Sequence, residues 1–161
     1  LTKISDGLQA SWTGHEQTVA LRAGVEQTVG ATAPADVAVV AANIRAKIDS
    51  VAKGAAGGRG GAVGGAVGRG AKPVPNFVGV NGALVQLLNA QDSGDMAPSP
   101  GALAAYAKVC GDLRMVEASW KGTIAKELAA LNAALKAHGM AAVPAPVVTS
   151  QVGSRGAAPC S

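Results

Sequence analysis

The stretch from Ser99 to His138 carries an apolar stripe that repeats at steps of three and four residues. That period is typical of an α-helix with one buried face. A helix of about 40 residues would be about 60 Å long, roughly twice the width of a small domain. We therefore expect a kink or a restart at Gly122 and Thr123. The stripe consists of Leu103, Tyr106, Cys110, Leu113, Glu117, Trp120, Ile124, Leu128, Leu131 and Leu135, with Glu117 as its polar exception.

The ends of this predicted helix carry recognisable signals. Ser99 is a favourable N-cap residue, and Pro100 suits the first helical position. Gly139 supplies a stop at the other end, and Pro144 lies shortly beyond it. His138 would lie in the last turn, where a positive charge interacts favourably with the helix dipole.

A first helix is predicted to begin after a linker at residues 1–4, with Ser5 or Asp6 as its cap, and to end at about Val29. Leu8, Trp12, His15, Val19 and Ala23 fall on one helical face, and Leu21, Val25 and Val29 widen it. We expect this face to be buried. Gly7, Gly14 and Gly24 each disfavour a helix by about 1 kcal/mol relative to Ala, which suggests either close helix approach or a marginal helix.

Two further helices are predicted before the long one. The second follows a turn at residues 30–34, with Thr32 as its cap, and runs to about Lys53. Its apolar face is Val37, Val40, Ala41, Ile44, Ile48 and Val51, opposite a solvated ladder of Arg45, Asp49 and Lys53. The third spans about Phe77 to Gln91, with Phe77, Val80, Leu84, Leu87 and Leu88 facing inward.

Together these segments predict an all-α fold, an antiparallel up-and-down bundle of about four helices with a long, kinked last helix. The bundle would occupy residues 1–143 as one domain. A glycine-rich loop at residues 54–76 would lie inside it, because half of residues 54–71 are glycine and no large apolar residue anchors them. Residues 144–161, with few helix signals, are expected to form an extended tail.

The formal charge of +4 does not by itself indicate nucleic-acid binding. Lys53, Arg59, Arg69 and Lys72 account for it, while the ten other basic residues equal the ten acidic ones in number. Arg59 and Arg69 lie in Arg-Gly pairs, but the aromatic residues that stack on bases in such segments are missing. Nucleic acid is therefore an unfavoured partner.

The chemical motifs are incomplete. His15-Glu16 begins like the zinc signature HExxH, but Val19 stands where the second histidine belongs. The segment GAVGRGAK at residues 65–72 approaches a phosphate-binding loop, but Ala71 displaces the lysine and no Ser or Thr follows. Asp92 and Asp95 lack the further oxygen ligands of a calcium loop. We predict no catalytic residue, no cofactor and no metal ion for this chain.

The remaining site candidates are aromatic residues and cysteines. Trp12 and Trp120 are interpreted first as core anchors, and alternatively as partner contacts together with Arg59 and Arg69. Cys110 lies on the apolar stripe, where a buried free thiol is the simplest interpretation. The alternative is a disulfide to Cys160, which requires the tail to fold back.

Residues 80–140 contain several features in order: Asn81-Gly82, Leu87-Leu88-Asn89, the Ala97-Pro98-Ser99 turn, Tyr106, Leu113 and Trp120, and the run from Leu128 to Asn132 before Gly139. In these the chain resembles the C-terminal helical region of bacterial exported proteins that carry sortilin-like, bacterial-neuraminidase-type (BNR) β-propeller repeats and are often labelled glycosyl hydrolases. Residues 6–29, with Leu21-Arg22, are similar to the helix that follows the last propeller blade in that family. The glycine-rich insert departs from the pattern, and no position matches a catalytic residue of the propeller.

The resemblance implies a helical appendage of an exported, periplasmic or extracellular multidomain protein. The balanced charge, the missing catalytic constellation and the extent of the apolar stripes favour a structural or protein-interaction domain, docked on a β-propeller or a neighbouring subunit. The alternative that the resemblance leaves open is an accessory domain that shapes the substrate cleft of a glycan-processing enzyme. A chain that begins at Leu1 is expected to be a processed product or the end of a larger protein. No apolar run reaches the about 18 residues of a membrane span.

Overall fold

The protein consists of four helical stretches within residues 2–54, 74–92 and 97–147, which are the residues that a computed structural model describes. The first three are α1 (Thr2–Thr28), α2 (Ala35–Lys53) and α3 (Phe77–Asp92). The fourth consists of α4 (Pro100–Thr123), a π-helical turn (Ile124–Leu128) and α5 (Ala129–Ala137) in direct succession. The described residues contain no strand, so the predicted all-α bundle with a long last helix is confirmed.

The interruption in the long helix lies directly after the predicted position. The α geometry holds through Gly122 and Thr123, and the π-helical turn then widens the helix over the next five residues. The Thr123 hydroxyl donates to the Ser119 carbonyl at 3.0 Å, a back-bond that competes with the regular helix ladder. The helix therefore changes geometry here without stopping.

The predicted caps of this long helix are confirmed. The Ser99 hydroxyl accepts a hydrogen bond from the Ala102 N–H at 3.2 Å, and Pro100 occupies the first turn. At the other end Gly139 has a φ of +67°, and the Met140 N–H donates to the Leu135 carbonyl at 2.9 Å. That bond closes a Schellman motif, so the chain turns away from the helix axis at Gly139.

Helix α2 lies at the centre of the bundle, because it packs against α1, α3, α4, the π-helical turn and α5. Its predicted apolar face is confirmed, with Val40 half-buried at the edge; the fully buried members are Val37, Ala41, Ile44, Ile48 and Val51. One detail differs: the N-cap residue is Pro34 and not Thr32. In the predicted ladder, the 41% exposed side chain of Asp49 accepts a hydrogen bond from Arg22 of α1.

The predicted buried face of α1 is wrong in its main line, whereas Leu21, Val25 and Val29, which were predicted to widen it, are buried. Trp12 is 56% exposed and Val19 is 55% exposed, while the buried line runs a quarter-turn away. The small and polar residues on this buried line let neighbouring helices approach closely. This close packing stabilises the bundle more than burial of the larger side chains on the predicted face would. The line comprises Ile4, Gly7, Ser11, Gly14, Thr18, Leu21, Val25 and Val29. The helix also begins at Thr2, so the expected linker and the caps at Ser5 or Asp6 are wrong.

The last helix buries most of its predicted stripe, and Leu103 is the clearest exception. Leu103 is 57% exposed, whereas Val109 and Val116 are buried in addition to the expected residues. After Gly139 the chain continues without regular structure over residues 141–147, here called the C-terminal strap. Val143 of this strap is 2% exposed, so the strap lies along the bundle.

Candidate functional site

A cleft of about 100 Å³ lies between α1 and α3 on the surface of the bundle. One wall comes from α1 and the other from the first two turns of α3. Its lining combines aromatic, aliphatic and polar groups, namely Ser11, Trp12, His15, Phe77, Val78 and Asn81. We refer to this lining and its rim as the α1–α3 cleft.

The cleft exists because the two helices approach closely at Gly14. The Phe77 ring lies against the glycine, and a Cβ atom at Gly14 would be 2.3 Å from Phe77 Cε1. Phe77 is 1% exposed and belongs to the hydrophobic core. The same close approach leaves Trp12, two residues earlier and on the opposite side of α1, outside the helix interface.

Polar side chains fix the two helices against one another next to this contact. The Asn81 side-chain amide donates to Ser11 Oγ at 2.9 Å and more weakly to the Leu8 carbonyl at 3.4 Å. Ser11 Oγ donates in turn to the Leu8 carbonyl at 2.9 Å. Ser11 is fully buried, so these hydrogen bonds satisfy a hydroxyl that water does not reach.

Trp12 is held in an outward position at the rim of the cleft. Its indole N–H donates to Glu16 Oε1 at 2.9 Å, one helical turn further along α1. The indole also lies against the His15 ring, with 6.0 Å between ring centroids. Val78, across the cleft, is 46% exposed. Two apolar side chains thus remain in contact with solvent on either side of the opening.

His15 has an unsatisfied polar atom inside the cleft lining. Its Nδ1 is buried and makes no hydrogen bond with any residue in the described ranges. A buried polar atom without a partner destabilises a fold by about 1–3 kcal/mol. The α1–α3 cleft therefore contains a hydrogen-bonding group that the bundle itself leaves unpaired.

The two tryptophans lie in different environments, although the sequence analysis gives both the same interpretations. Trp120 is 4% exposed, and its indole N–H donates to Gln17 Oε1 at 3.0 Å in the interface between α4 and α1. This burial favours the first interpretation of Trp120, as a core anchor, over the alternative of a partner contact. Trp12 has the opposite outcome, because its exposed indole contradicts the core-anchor interpretation.

The remaining predicted site residues lie partly outside the described ranges. Arg59, Arg69 and Cys160 belong to residues that the structure does not describe. Cys110 is buried and disulfide-bonded, so its interpretation as a free thiol is wrong. Cys160 is the other cysteine of the sequence. The pairing of Cys110 with Cys160 stays a prediction.

Other ionisable side chains interact away from the cleft. Arg22 connects α1 to Asp49 of α2, and this contact is the main reason that the pKa of Arg22 is raised. His138 Nε2 lies 2.9 Å from Asp36 Oδ2, joining the end of α5 to the first turn of α2. Burial raises the pKa of the half-buried Glu117 carboxyl, and the charge of Lys121 partly offsets this.

Ser11, Val78 and Asn81 are the cleft residues that the sequence analysis missed, whereas close helix approach was one of its two interpretations of Gly14. Ser11 and Gly14 belong to the line of buried positions on α1, spaced by three and four residues, that contains small and polar side chains. This spacing was visible in the sequence, but an apolar count favours the neighbouring face with Trp12 and Val19. Asn81 pairs with Ser11 across 70 positions of sequence, which local pattern does not reveal.

In the part of the chain that the structure describes, no three His, Cys, Asp or Glu side chains are grouped so as to hold a metal ion. None of the described helices combines the length and the apolar character that a membrane crossing requires. Comparison of the chain with protein-family models, with curated proteins and with solved structures finds no match.

Proposed function

We propose that this chain is a non-catalytic helical module that binds another protein through the α1–α3 cleft. The observation that carries the proposal is the position of Trp12, whose large indole is 56% exposed at the rim of a cleft with a second apolar side chain opposite. Tryptophan is the residue type most enriched among those that dominate binding energy in protein interfaces. An exposed indole fixed by its own hydrogen bond to Glu16 also loses little conformational freedom on binding.

The partner in this proposal is a β-propeller domain of the sortilin-like, BNR-repeat class. The resemblance in residues 6–29 and 80–140 supports this choice, because the α1 wall of the cleft and Asn81 of α3 belong to those segments. The proposal places the protein in an exported, periplasmic or extracellular setting. The disulfide at Cys110 supports that setting, because structural disulfides persist in oxidising compartments.

Isothermal titration of the full chain with a purified β-propeller domain of this class tests the proposal. Trp12→Ala should weaken binding by about tenfold or more, as expected for an interface anchor. Met115→Ala is the matched control, because Met115 is 58% exposed and lies on α4, which does not line the cleft. Equal affinities of the two variants, or no binding of the unmodified chain, would contradict the proposal.

Sedimentation velocity of the same variants addresses a second copy of the chain as the rival occupant. The proposal expects a monomer over the concentration range of the titration. A concentration-dependent dimer that Trp12→Ala dissociates would assign the surface to self-association and overturn the choice of partner.

A further inference from the structure

We infer that the chain has a second polypeptide-binding site, which takes an extended segment of a partner polypeptide in which valine precedes proline. This inference goes beyond the proposed function and does not use the α1–α3 cleft. The site is a gap between α1 and α5, two helices that both pack against α2 but not against each other. Val143 of the C-terminal strap lies in this gap, against Gly24 of α1 and hydrogen-bonded to Asn132 of α5. We call Gly24, Asn132 and the space between them the α1–α5 groove.

Asn132 recognises the main chain of the segment in the groove. Its side-chain nitrogen donates to the Val143 carbonyl at 3.0 Å, and its side-chain oxygen accepts from the Val143 N–H at 2.8 Å. One side chain thus pairs with both backbone groups of one residue, as a residue of a neighbouring strand does in an antiparallel sheet. Main-chain hydrogen bonds of this kind supply affinity for an extended peptide, and a side-chain pocket beside them supplies specificity.

Gly24 leaves room for the side chain of that residue. Val143 is 2% exposed, and its Cγ1 lies 3.4 Å from the position that a Cβ atom at Gly24 would take. The backbone of Gly24 does not have the positive φ that would require glycine. The space beside Gly24 is therefore a pocket for an aliphatic side chain.

Pro144 fixes the shape of the segment. A residue that precedes proline is restricted to extended conformations, so Val143 loses little conformational freedom when it pairs with Asn132. Pro144 also has no N–H, so it needs no hydrogen-bond acceptor in the groove. The recognised pattern is therefore valine followed by proline in an extended chain.

The strap fills the groove through few residues, so another polypeptide can take its place. In residues 141–147, Val143 is buried, Pro146 is half-buried and the other five residues are exposed. A partner segment with valine before proline makes the same two hydrogen bonds and the same aliphatic contact. The strap then acts as an intramolecular competitor, because its short connection to α5 keeps it at an effective concentration of about 1 mM or more.

Fluorescence anisotropy of a fluorescein-labelled peptide, titrated with the full chain, tests the inference. The probe is Met-Ala-Ala-Val-Pro-Ala-Pro-Val, the sequence of residues 140–147. Val143→Asp should free the groove, because a carboxylate would lose its water in the pocket beside Gly24. Val147→Asp is the matched control, since Val147 is 77% exposed in the same strap and its substitution leaves the groove filled. The Val143→Asp chain should bind the probe about tenfold or more tightly than the control, because the strap no longer competes.

Further substitutions in the Val143→Asp chain locate the bound probe. Asn132→Ala should weaken binding by about tenfold or more, as the loss of two hydrogen bonds implies. Trp12→Ala should leave binding unchanged, because the α1–α3 cleft takes no part. A probe with aspartate in place of its first valine should bind weakly to every chain.

Far-UV circular dichroism establishes that each variant folds. If Val143→Asp loses the helical signal, Val143→Gly with Val147→Gly as its control repeats the comparison without adding a charge.

Several outcomes would overturn the inference: no probe binding by a folded chain with a freed groove, equal affinities of the Val143→Asp and Val147→Asp chains, or equal affinities for the valine and aspartate probes. Loss of probe binding on Trp12→Ala would assign the peptide to the α1–α3 cleft and overturn the second site. A dimer of the unmodified chain that Val143→Asp dissociates in sedimentation velocity would show exchange of straps between two copies and overturn the choice of partner. The titration with a β-propeller domain tests the proposed function separately, so either proposal can fail without the other.

Discussion

The side-chain amide of Asn132 makes two hydrogen bonds with the backbone of Val143. Asn132 Nδ2 donates to the Val143 carbonyl at 3.0 Å, and the Val143 N–H donates to Asn132 Oδ1 at 2.8 Å. The Val143 side chain lies over Gly24 of α1, where an added Cβ would be 3.4 Å from Val143 Cγ1. The C-terminal strap thus connects α5 to α1, two helices that do not pack directly against each other.

Asn132→Ala should destabilise the bundle, because it removes both hydrogen bonds that fix the strap. At about 1 kcal/mol for each bond, we expect the free energy of unfolding to fall by about 2 kcal/mol. Urea unfolding followed by far-UV circular dichroism measures this change. Asn43→Ala on α2 is the control, since Asn43 is exposed and should change stability by less than ~0.5 kcal/mol. Equal stabilities of the two variants would show that the strap contributes nothing.

Gly14→Ala should destabilise the protein although alanine favours helices. The new methyl group would meet the Phe77 ring at 2.3 Å, and overpacking of this kind costs about 1–3 kcal/mol. Gly82→Ala on α3 is the matched control, because its Cβ would meet no atom within 4 Å. The free energy of unfolding of Gly82→Ala should rise by up to about 1 kcal/mol, because alanine has a higher helix propensity than glycine. Thermal unfolding midpoints that shift in the same direction for both variants would contradict the close approach at Gly14.

Glu117→Gln should stabilise the protein at neutral pH. Burial raises the pKa of this carboxyl, so its contribution to stability is fully present below the unfolded pKa of about 4.3 and is lost as pH rises through the folded pKa. The glutamine variant avoids this loss. We expect the free energy of unfolding to rise by less than ~1 kcal/mol at neutral pH, since solvent screens the part of the side chain that stays exposed. Urea unfolding at neutral pH and at about pH 3 should show the gain only at the higher value.

His138→Ala should raise the pKa of Asp36 toward its usual value of 3.8. The hydrogen bond with His138 is the main cause that lowers this pKa, and an aspartate with a lowered pKa loses its stabilising contribution as pH falls through the folded value. Carboxyl-carbon NMR titration measures the shift. Lys136→Ala, in the last turn of α5, is the control and should leave the Asp36 titration in place.

The disulfide at Cys110 is predicted to join Cys160. Peptide mapping without reduction should yield a cross-linked peptide that contains both residues, and reduction should release two separate peptides. In the chain-entropy model, a closed loop of about 50 residues stabilises a fold by about 4 kcal/mol at most. The reduced protein should unfold at lower urea concentration. An intermolecular Cys110 cross-link in the same map would contradict the predicted pairing.

Much of the architecture was predictable because it depends on local pattern. The Val37 to Val51 face of α2 and the Ser99 cap need no distant partner to be recognised, and both lie where predicted. The disturbance after Gly122 was also expected, although the sequence did not distinguish a π-helical turn from a kink. Of the residues that form the candidate site, the sequence analysis offered only Trp12 as a partner contact. Its other members depend on which face of α1 meets α3.

The sequence by itself determined an all-helical chain, the ends of its long last helix and the apolar face of its central helix, because helical period and capping act over a few residues. Only the tertiary structure decided that Trp12 is exposed while Trp120 is buried. Both tryptophans lie on apolar stripes, but Gly14 allows Phe77 to pack where a larger residue would have rotated α1. Close packing across 63 positions of sequence, between Gly14 and Phe77, placed the cleft on the surface of the protein.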